Sequence, residues 1–257
     1  MKYQYLSEPV TIKKVYEDAK KGIFEIEGLY TGYGLTVGNS LRRALLSSLP
    51  GTAITQIKIK NVNHEFSTLP GMVESVLDVM LNLKKIRIHS FSDEPQVLTL
   101  KVKGEREVKA SDIKTTSEVV VVTPDIHIAA LSDKNAELDM ELTIEKGLGY
   151  SPVESRKMEK LGVGSIALDA LFSPVLKVNY TISDMRVGER TDYNKVHLEM
   201  ETDGTIAPSS ALHKAANILK DNFEKIASIE VTEFEAVVAA AETKAEEKPK
   251  RGRKKKE

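Results

Sequence analysis

From residue 11 onward, apolar and polar positions alternate in short runs. "TIKKVYE" (11–17) leads to a turn near Lys21 and Gly22. "IFEIEGLY" (23–30) then sets Phe24 and Ile26 against Glu25 and Glu27, the period of two that marks a half-buried strand. Over residues 36–49 the apolar period becomes helical, and Pro50 with Gly51 predicts the stop. "ITQIKIKNV" (54–62) alternates again, and after "STLPG" the spacing predicts a second helix over roughly 72–84. Between about 86 and 185 the pattern is one of short strands: "IRIHSF", "QVLTLKVKG", "EVVVVTP", "HIAAL", "ELDMELTIEKG" and "LKVNYTIS". "KGLGYSP" and "LGVGS" read as loops among them. A strand over 193–201 precedes a long helix in "GTIAPSSALHKAANILKDNFEKIASI", with Pro208 in its first turn. From about residue 236 the chain becomes low in complexity and reads as disordered. Strands and helices mixed without strict βα alternation predict an α+β fold.

The helices carry unusual surfaces. At about 100° per residue the first puts Val37, Leu41, Ala44 and Leu45 on one face, extended by Leu46 and Leu49. Arg42 falls at the edge of that face. Arg43 falls nearly opposite its centre, flanked by Asn39 and Ser47. An arginine so placed is either simply solvated or a bidentate anchor for a partner. The second helix is expected to bury Met72, Val76, Val79, Met80 and Leu83 and to expose Glu74, Asp78, Asn82 and Lys85. Lys84 falls in its apolar sector, so its head must snorkel outward or meet a partner, unless the last turn frays. The third helix has an apolar arc of about half its circumference (Leu212, Ala215, Ile218, Leu219, Phe223 and Ile226), wider than one core requires. Such an arc either serves two surfaces or lies deep in one domain.

Composition narrows the chemistry. The 257 residues include no Cys and no Trp, and aromatics make up 5%. Thiol nucleophiles, thiolate zinc sites and aromatic platforms for single strands are thereby disfavoured. "MKYQYLSEPV" has no apolar signal region and no run approaches a membrane span, so a cytoplasmic location is expected. The net charge of −1 is unevenly placed: residues 242–257 carry +4, and the body −5, which is not the charge of a general nucleic-acid clamp.

"TGYGLTVGNSLRR" (31–43) comes near the dinucleotide-binding fingerprint but fails it. Its glycines follow Gly-x-Gly-x-x-x-Gly, the strand before it alternates, and no acidic residue follows about 20 positions on. No Lys-Ser/Thr completes a phosphate loop, so the stretch reads as a tight turn into a helix. The histidines (His64, His89, His127, His197, His213) lack ligand spacing, and neither a Gly-x-Ser-x-Gly elbow nor a compact trio of Asp residues occurs. No metal, cofactor or catalytic residue is expected in this chain.

Two stretches, "GYGLTVGNSLRRALLSSLPG" (32–51) and "RVGERTDYNKVHLEMETDGTIAP" (186–208), closely resemble signature sequences of the bacterial RNA polymerase alpha-subunit family. "HEFSTLPGMVESVLDVMLNLK" (64–84) and "KGLGYSP" (146–152) fall between them in the expected order, and the resemblance covers about residues 1–235. It implies a discontinuous dimerisation domain (1–50 and 176–235), an antiparallel sheet with two amphipathic helices, carrying an inserted, mostly β domain (51–175). It further implies a homodimeric scaffold that binds the beta and beta-prime subunits, with omega and sigma in the larger assembly and catalysis elsewhere. By the same resemblance Arg43, Arg42, Asn39 and Gly38 belong to the beta contact, and Asp78 and Lys84 to the beta-prime contact. Leu41, Leu45, Leu212, Ile218, Leu219, Phe223 and Ile226 would be dimer or core residues.

The chain also departs from the family pattern. Ala207 stands where an Asp often caps the last helix, so that helix start should be weaker by roughly 1 kcal/mol unless another group caps it. Typical members continue, after a linker, into a small helical domain that touches DNA; this chain ends at Glu257, within the expected linker. There "KPKRGRKKK" (248–256) offers Lys250, Arg251, Arg253, Lys254, Lys255 and Lys256 as a salt-sensitive DNA contact, against the plainer reading of a solvated tail over 236–257. A free-standing dimeric DNA-binding protein acting through this tail is the alternative function.

Overall fold

A computed structural model describes residues 10–156 and 164–230. The basic tail from Lys250 to Lys256 and most of "LGVGS" therefore lie outside the described residues. The chain divides into two compact units, Met1–Leu219 and Lys220–Glu257.

In chain order the elements are β1 (Thr11–Glu17), β2 (Lys21–Leu29), α1 (Tyr33–Ser47), β3 (Pro50–Ile59), α2 (Val76–Leu83), β4 (Ile88–Ser90) and β5 (Gln96–Lys103). There follow β6 (Arg106–Lys109), β7 (Val119–Val121), β8 (His127–Leu131), β9 (Glu137–Leu148), β10 (Tyr150–Ser151), β11 (Ser165–Ala167) and β12 (Ala170–Leu171). β13 (Val175–Val187), β14 (Arg190–Thr202) and α3 (Pro208–Ala227) complete the order. The α+β expectation holds. One antiparallel sheet runs β1-β2-β14-β13, a second runs β11-β3-β9-β5, and β4-β7, β6-β8 and β10-β12 form three small pairs.

The first sheet joins distant parts of the chain. β2 and β14 pair in register from Leu29↔Asn194 to Lys21↔Glu201, with one irregularity at Asn194–Val196. The inner face of this sheet carries Phe24, Ile26, Val196, Leu198 and Met200, all buried. Leu41, Ala44, Leu45 and Leu49 of the α1 region and Ala211 and Ala215 of α3 pack against them. A separate core is built only from residues between Ile54 and Leu168, around β3, β5, β9 and α2. Alternation accounts for both: Leu138, Met140, Leu142 and Ile144 of β9 are each at most 1% exposed, while the residues between them face outward.

Several element boundaries differ from the sequence expectation. Lys21 and Gly22 lie within β2; the turn falls at residues 18–20, where the Asp18 carboxylate accepts the N–H groups of Lys20 and Lys21 at 2.8 and 2.7 Å. α1 begins three residues before the expected start, and Pro50 and Gly51 open β3 directly. α2 is short. Residues 72–75 are not helical because Met72 bridges Leu131 and the Val73 N–H bonds the Ala130 carbonyl at 3.0 Å. The helix starts at Ser75, whose hydroxyl accepts from the Asp78 N–H while the Asp78 carboxylate accepts from the Ser75 N–H, a capping box. Most of "KGLGYSP" is strand rather than loop, since Lys146–Leu148 continue β9 and Tyr150–Ser151 form β10.

The missing Asp cap at Ala207 is replaced from a distance. Glu17, at the end of β1, accepts the Ser209 N–H at 2.8 Å in the first turn of α3. Its carboxyl is lowered to about 2, first by the bonding to Ser209 and then by Lys14 at 2.9 Å. A depressed carboxyl stabilises the fold above the ordinary carboxyl range, and this stabilisation is lost as the pH falls from about 4.5 towards 2. Glu17→Ala should therefore lower stability by about 1 kcal/mol at neutral pH. In urea titrations, the gap between wild type and variant should close below pH 4; a constant gap down to pH 2 would exclude the capping role.

Candidate functional site

The two most distinctive sequence stretches meet at the start of α1. Gly32 adopts φ +84°, a conformation that favours glycine, and delivers the chain into the helix. No side chain of the helix itself caps it. Asn194 of β14 does so instead: its Oδ1 accepts the N–H groups of Gly32 at 2.8 Å and Gly34 at 3.3 Å, and its Nδ2 donates to Asp184 at 3.2 Å. Asn194 is 9% exposed, so its amide is aligned by these bonds rather than by water. Beside it Thr31 donates to the Asp192 carboxylate at 2.7 Å. Arg190 pairs with the same carboxylate at 2.6 Å and stacks over the rings of Tyr30 and Tyr193 at 4.9 and 5.4 Å. The Arg190 bond and the Thr31 hydroxyl hold the Asp192 carboxyl well below its ordinary range. The glycines are therefore bound to the protein's own amide, as a turn into a helix requires.

Close packing then fixes which way α1 faces. A Cβ at Gly38 would lie 2.7 Å from the Tyr180 ring, and one at Gly34 2.9 Å from Asn194. Gly38 is thus buried against β13 and lets the helix approach; it is not part of an exposed contact face. Leu41 and Leu45 turn inward, 7% and 0% exposed. The half-buried Arg42 bonds Asn39 Oδ1 at 3.3 Å along the helix. Arg43 is exposed and, among the described residues, has no hydrogen bond or ion pair from its guanidinium. The Ser47 hydroxyl donates to the carbonyl of residue 43 at 2.7 Å and lies 3.3 Å from the Ser48 hydroxyl.

The second group of residues lies on α2. Val76, Val79 and Leu83 are fully buried, while Leu77 and Leu81 are exposed. Asp78 is occupied in the capping box, and the Ser75 hydroxyl and N–H keep its carboxyl below the ordinary value. Lys84 is neither frayed nor merely solvated: it ends the helix as its C-cap and meets Asp169 at 3.0 Å. Asp169 in turn accepts the Val153 N–H at 3.0 Å, and this bond first, then Lys84, lowers its carboxyl. Nearby, His127 stands between Glu74 at 2.7 Å and Glu107 at 2.9 Å, with Glu74 also accepting the Ala130 N–H at 2.7 Å. Its pKa is raised, chiefly by Glu74. The link is therefore fully present below about pH 6.5 and weakens as the pH rises through the higher folded value.

On α3 the apolar arc is covered unevenly. Ala211 and Ala215 are buried, and Leu212, Ile218 and Leu219 are half-buried. Phe223 and Ile226 are 58% and 66% exposed. No helix among the described residues is long and apolar enough to cross a membrane.

Residues 57–173 match a family described as the RNA polymerase Rpb3/RpoA insert domain. The chain is 51% identical to the DNA-directed RNA polymerase subunit alpha of Symbiobacterium thermophilum over 213 residues, 83% of this chain and 67% of the relative. The chain belongs to the RNA polymerase alpha-subunit family. A Desulfitobacterium hafniense alpha subunit is 48% identical over 80% of this chain and 65% of its own length. One from Alkaliphilus oremlandii is 42% identical over 92% and 75%. The chain thus spans about two thirds to three quarters of these alpha subunits. Against the family signature, Arg43 is the open member of its motif, and Gly38 the packed one. Sequence reasoning missed Asn194 and Asp169, whose partners lie 160 and 85 residues away; Asn194 falls within the second signature stretch, 186–208, but no local spacing gives it a role.

Asn194→Ala removes the acceptor for two backbone donors in a buried setting. It should destabilise the protein by about 1–2 kcal/mol and speed amide exchange at Gly32 and Gly34 more than in the middle of β3. Unchanged exchange at those glycines would refute the capping role.

Proposed function

We propose that this chain is an assembly scaffold of a DNA-directed RNA polymerase. It pairs with a second copy of itself, and the pair gathers the beta and beta-prime subunits that carry out nucleotidyl transfer from ribonucleoside triphosphates on a DNA template. The chain contributes no catalytic residue to that reaction, and the whole acts in the cytoplasm. The observation that carries this reading is the apolar arc of α3. Its first turns are buried or half-buried, while Phe223 and Ile226 leave two large apolar side chains open to solvent. Fully burying each is worth about 1.5–3 kcal/mol, and in a two-fold dimer each such residue counts twice.

On this reading residues 1–50 and 176–235 form the dimerisation domain and 51–175 the insert. Support comes from the division of the core, one part drawn only from residues between Ile54 and Leu168 and the other from the flanking segments. Arg43 is the anchor for beta, since it is exposed, carried on a helix and unpaired among the described residues. Asn39 and Arg42 flank it and keep each other in place. Lys84 and Asp78 belong to the beta-prime contact, with Asp78 also starting its helix.

Two tests separate these roles. Phe223→Glu combined with Ile226→Glu should convert the dimer to a folded monomer in sedimentation; a persistent dimer would remove α3 from the interface. Arg43→Ala should leave the folded dimer intact and weaken capture of beta by roughly tenfold or more. A monomeric or unfolded Arg43→Ala protein, by sedimentation and circular dichroism, would show that Arg43 serves the fold instead.

A further inference from the structure

Asp169 lies on the link between β11 and β12, and both of its carboxylate oxygens are used. Oδ1 accepts the Val153 N–H at 3.0 Å, and Oδ2 receives the Lys84 ammonium at 3.0 Å. One carboxylate thus ties together the end of α2, the turn after β10 and the β11–β12 link. The pair sits at a cleft of about 230 Å³ lined by Thr52, Ile54, Leu83, Ile86, Tyr150 and Leu171. Lys84 and Asp169 side chains remain 36% and 34% exposed, so both heads reach solvent.

A half-exposed ion pair adds little to stability, because water screens the attraction and two side chains must be ordered to make it. Its geometric consequence is larger. A lysine head on a flexible four-carbon stem loses much freedom on binding a partner. Lys84 has already lost that freedom in the free protein, because its acceptor is itself fixed to the backbone at Val153. An ammonium has three donors; Asp169 takes one, leaving two for an acceptor brought by another chain. The end of α2, where backbone carbonyls converge, favours the same cation.

We propose that Asp169 is a positioning residue for the beta-prime contact, holding the Lys84 ammonium at the rim of this cleft where it meets an acceptor on that subunit. The proposal rests on the reading of Lys84 as a beta-prime contact. In this arrangement Asp169 need not touch beta-prime; it acts through Lys84.

The test is a double-mutant cycle on the full chain, titrating beta-prime against the dimer, with beta capture and the thermal midpoint followed in parallel. Lys84→Met should weaken beta-prime capture roughly tenfold and Asp169→Asn about three- to fivefold. The double variant should be no worse than Lys84→Met alone, and beta capture should be unchanged in all three. If Lys84→Met captures beta-prime like wild type, the reading of Lys84 falls and the proposal with it. If Lys84→Met is weak but Asp169→Asn is normal, Lys84 keeps its role and the positioning role of Asp169 is overturned. Additive losses would also overturn it, because Asp169 would then act independently of Lys84. Should Asp169→Asn lower the thermal midpoint, Asp169→Glu takes its place in the cycle, moving the charge without removing it. Weakened capture that vanishes in the Lys84→Met background supports positioning, and unchanged capture overturns it.

Discussion

The pairing of β2 with β14 is the constraint on which the rest of this structure depends. Residues about 170 positions apart must meet in register before either helix of the first sheet has a surface to cover. Closing so long a loop costs entropy before any contact is gained. What offsets it is continuous burial along the ladder: Phe24, Ile26, Val196, Leu198 and Met200 all lie beneath α1 and α3. The ladder also carries the helices' connections. Asn194 reaches α1 from β14, and Glu17 reaches α3 from the strand paired with β2. Each helix therefore begins at a position dictated by the sheet rather than by its own first residues.

This explains how much was legible beforehand. Strands with a clean period of two, such as β5 and β9, were readable because one buried core imposes that period locally. The inward face of α1 was readable for the same reason. The start of α3 was marked by Pro208, and Ser75 and Asp78 of α2 form a local capping box whose spacing is visible in the sequence, but the start of α1 carried no such local mark. The cap of α1 is 160 residues away and that of α3 is 192 residues away, so no local pattern contains them. The tight packing of Gly38 against Tyr180 is another long-range fact that a short motif cannot disclose.

The site followed a similar division. Periodicity placed Arg43 on the outer face of α1, and the structure leaves it there, exposed and without a partner among the described residues. For Lys84, periodicity identified a conflict, a charge in an apolar sector, without revealing its resolution. Asp169 resolves it from across the inserted region, close enough to pair and anchored by a backbone N–H. A conflict between residue type and helical face was thus a better guide to a built contact than any motif, because only a specific partner makes such a placement tolerable.

A two-fold pair presents every surface twice, so on the proposed reading each copy offers both Arg43 and Lys84. Beta and beta-prime are different chains, and neither copy is marked in advance for one of them. The distinction must arise in assembly: once one copy holds beta, the two-fold is broken and the second copy's surfaces are no longer equivalent to the first's. A scaffold of this kind gains from contact groups that are rigid before binding, since both copies must be competent for either role. Lys84, held on a carboxylate anchored by Val153, meets that requirement at its charged head, whereas for Arg43 it is the helix beneath the side chain that is fixed, by Asn194. In each, a side chain distant in sequence, Asn194 or Asp169, binds at one end of the helix that carries the contact residue.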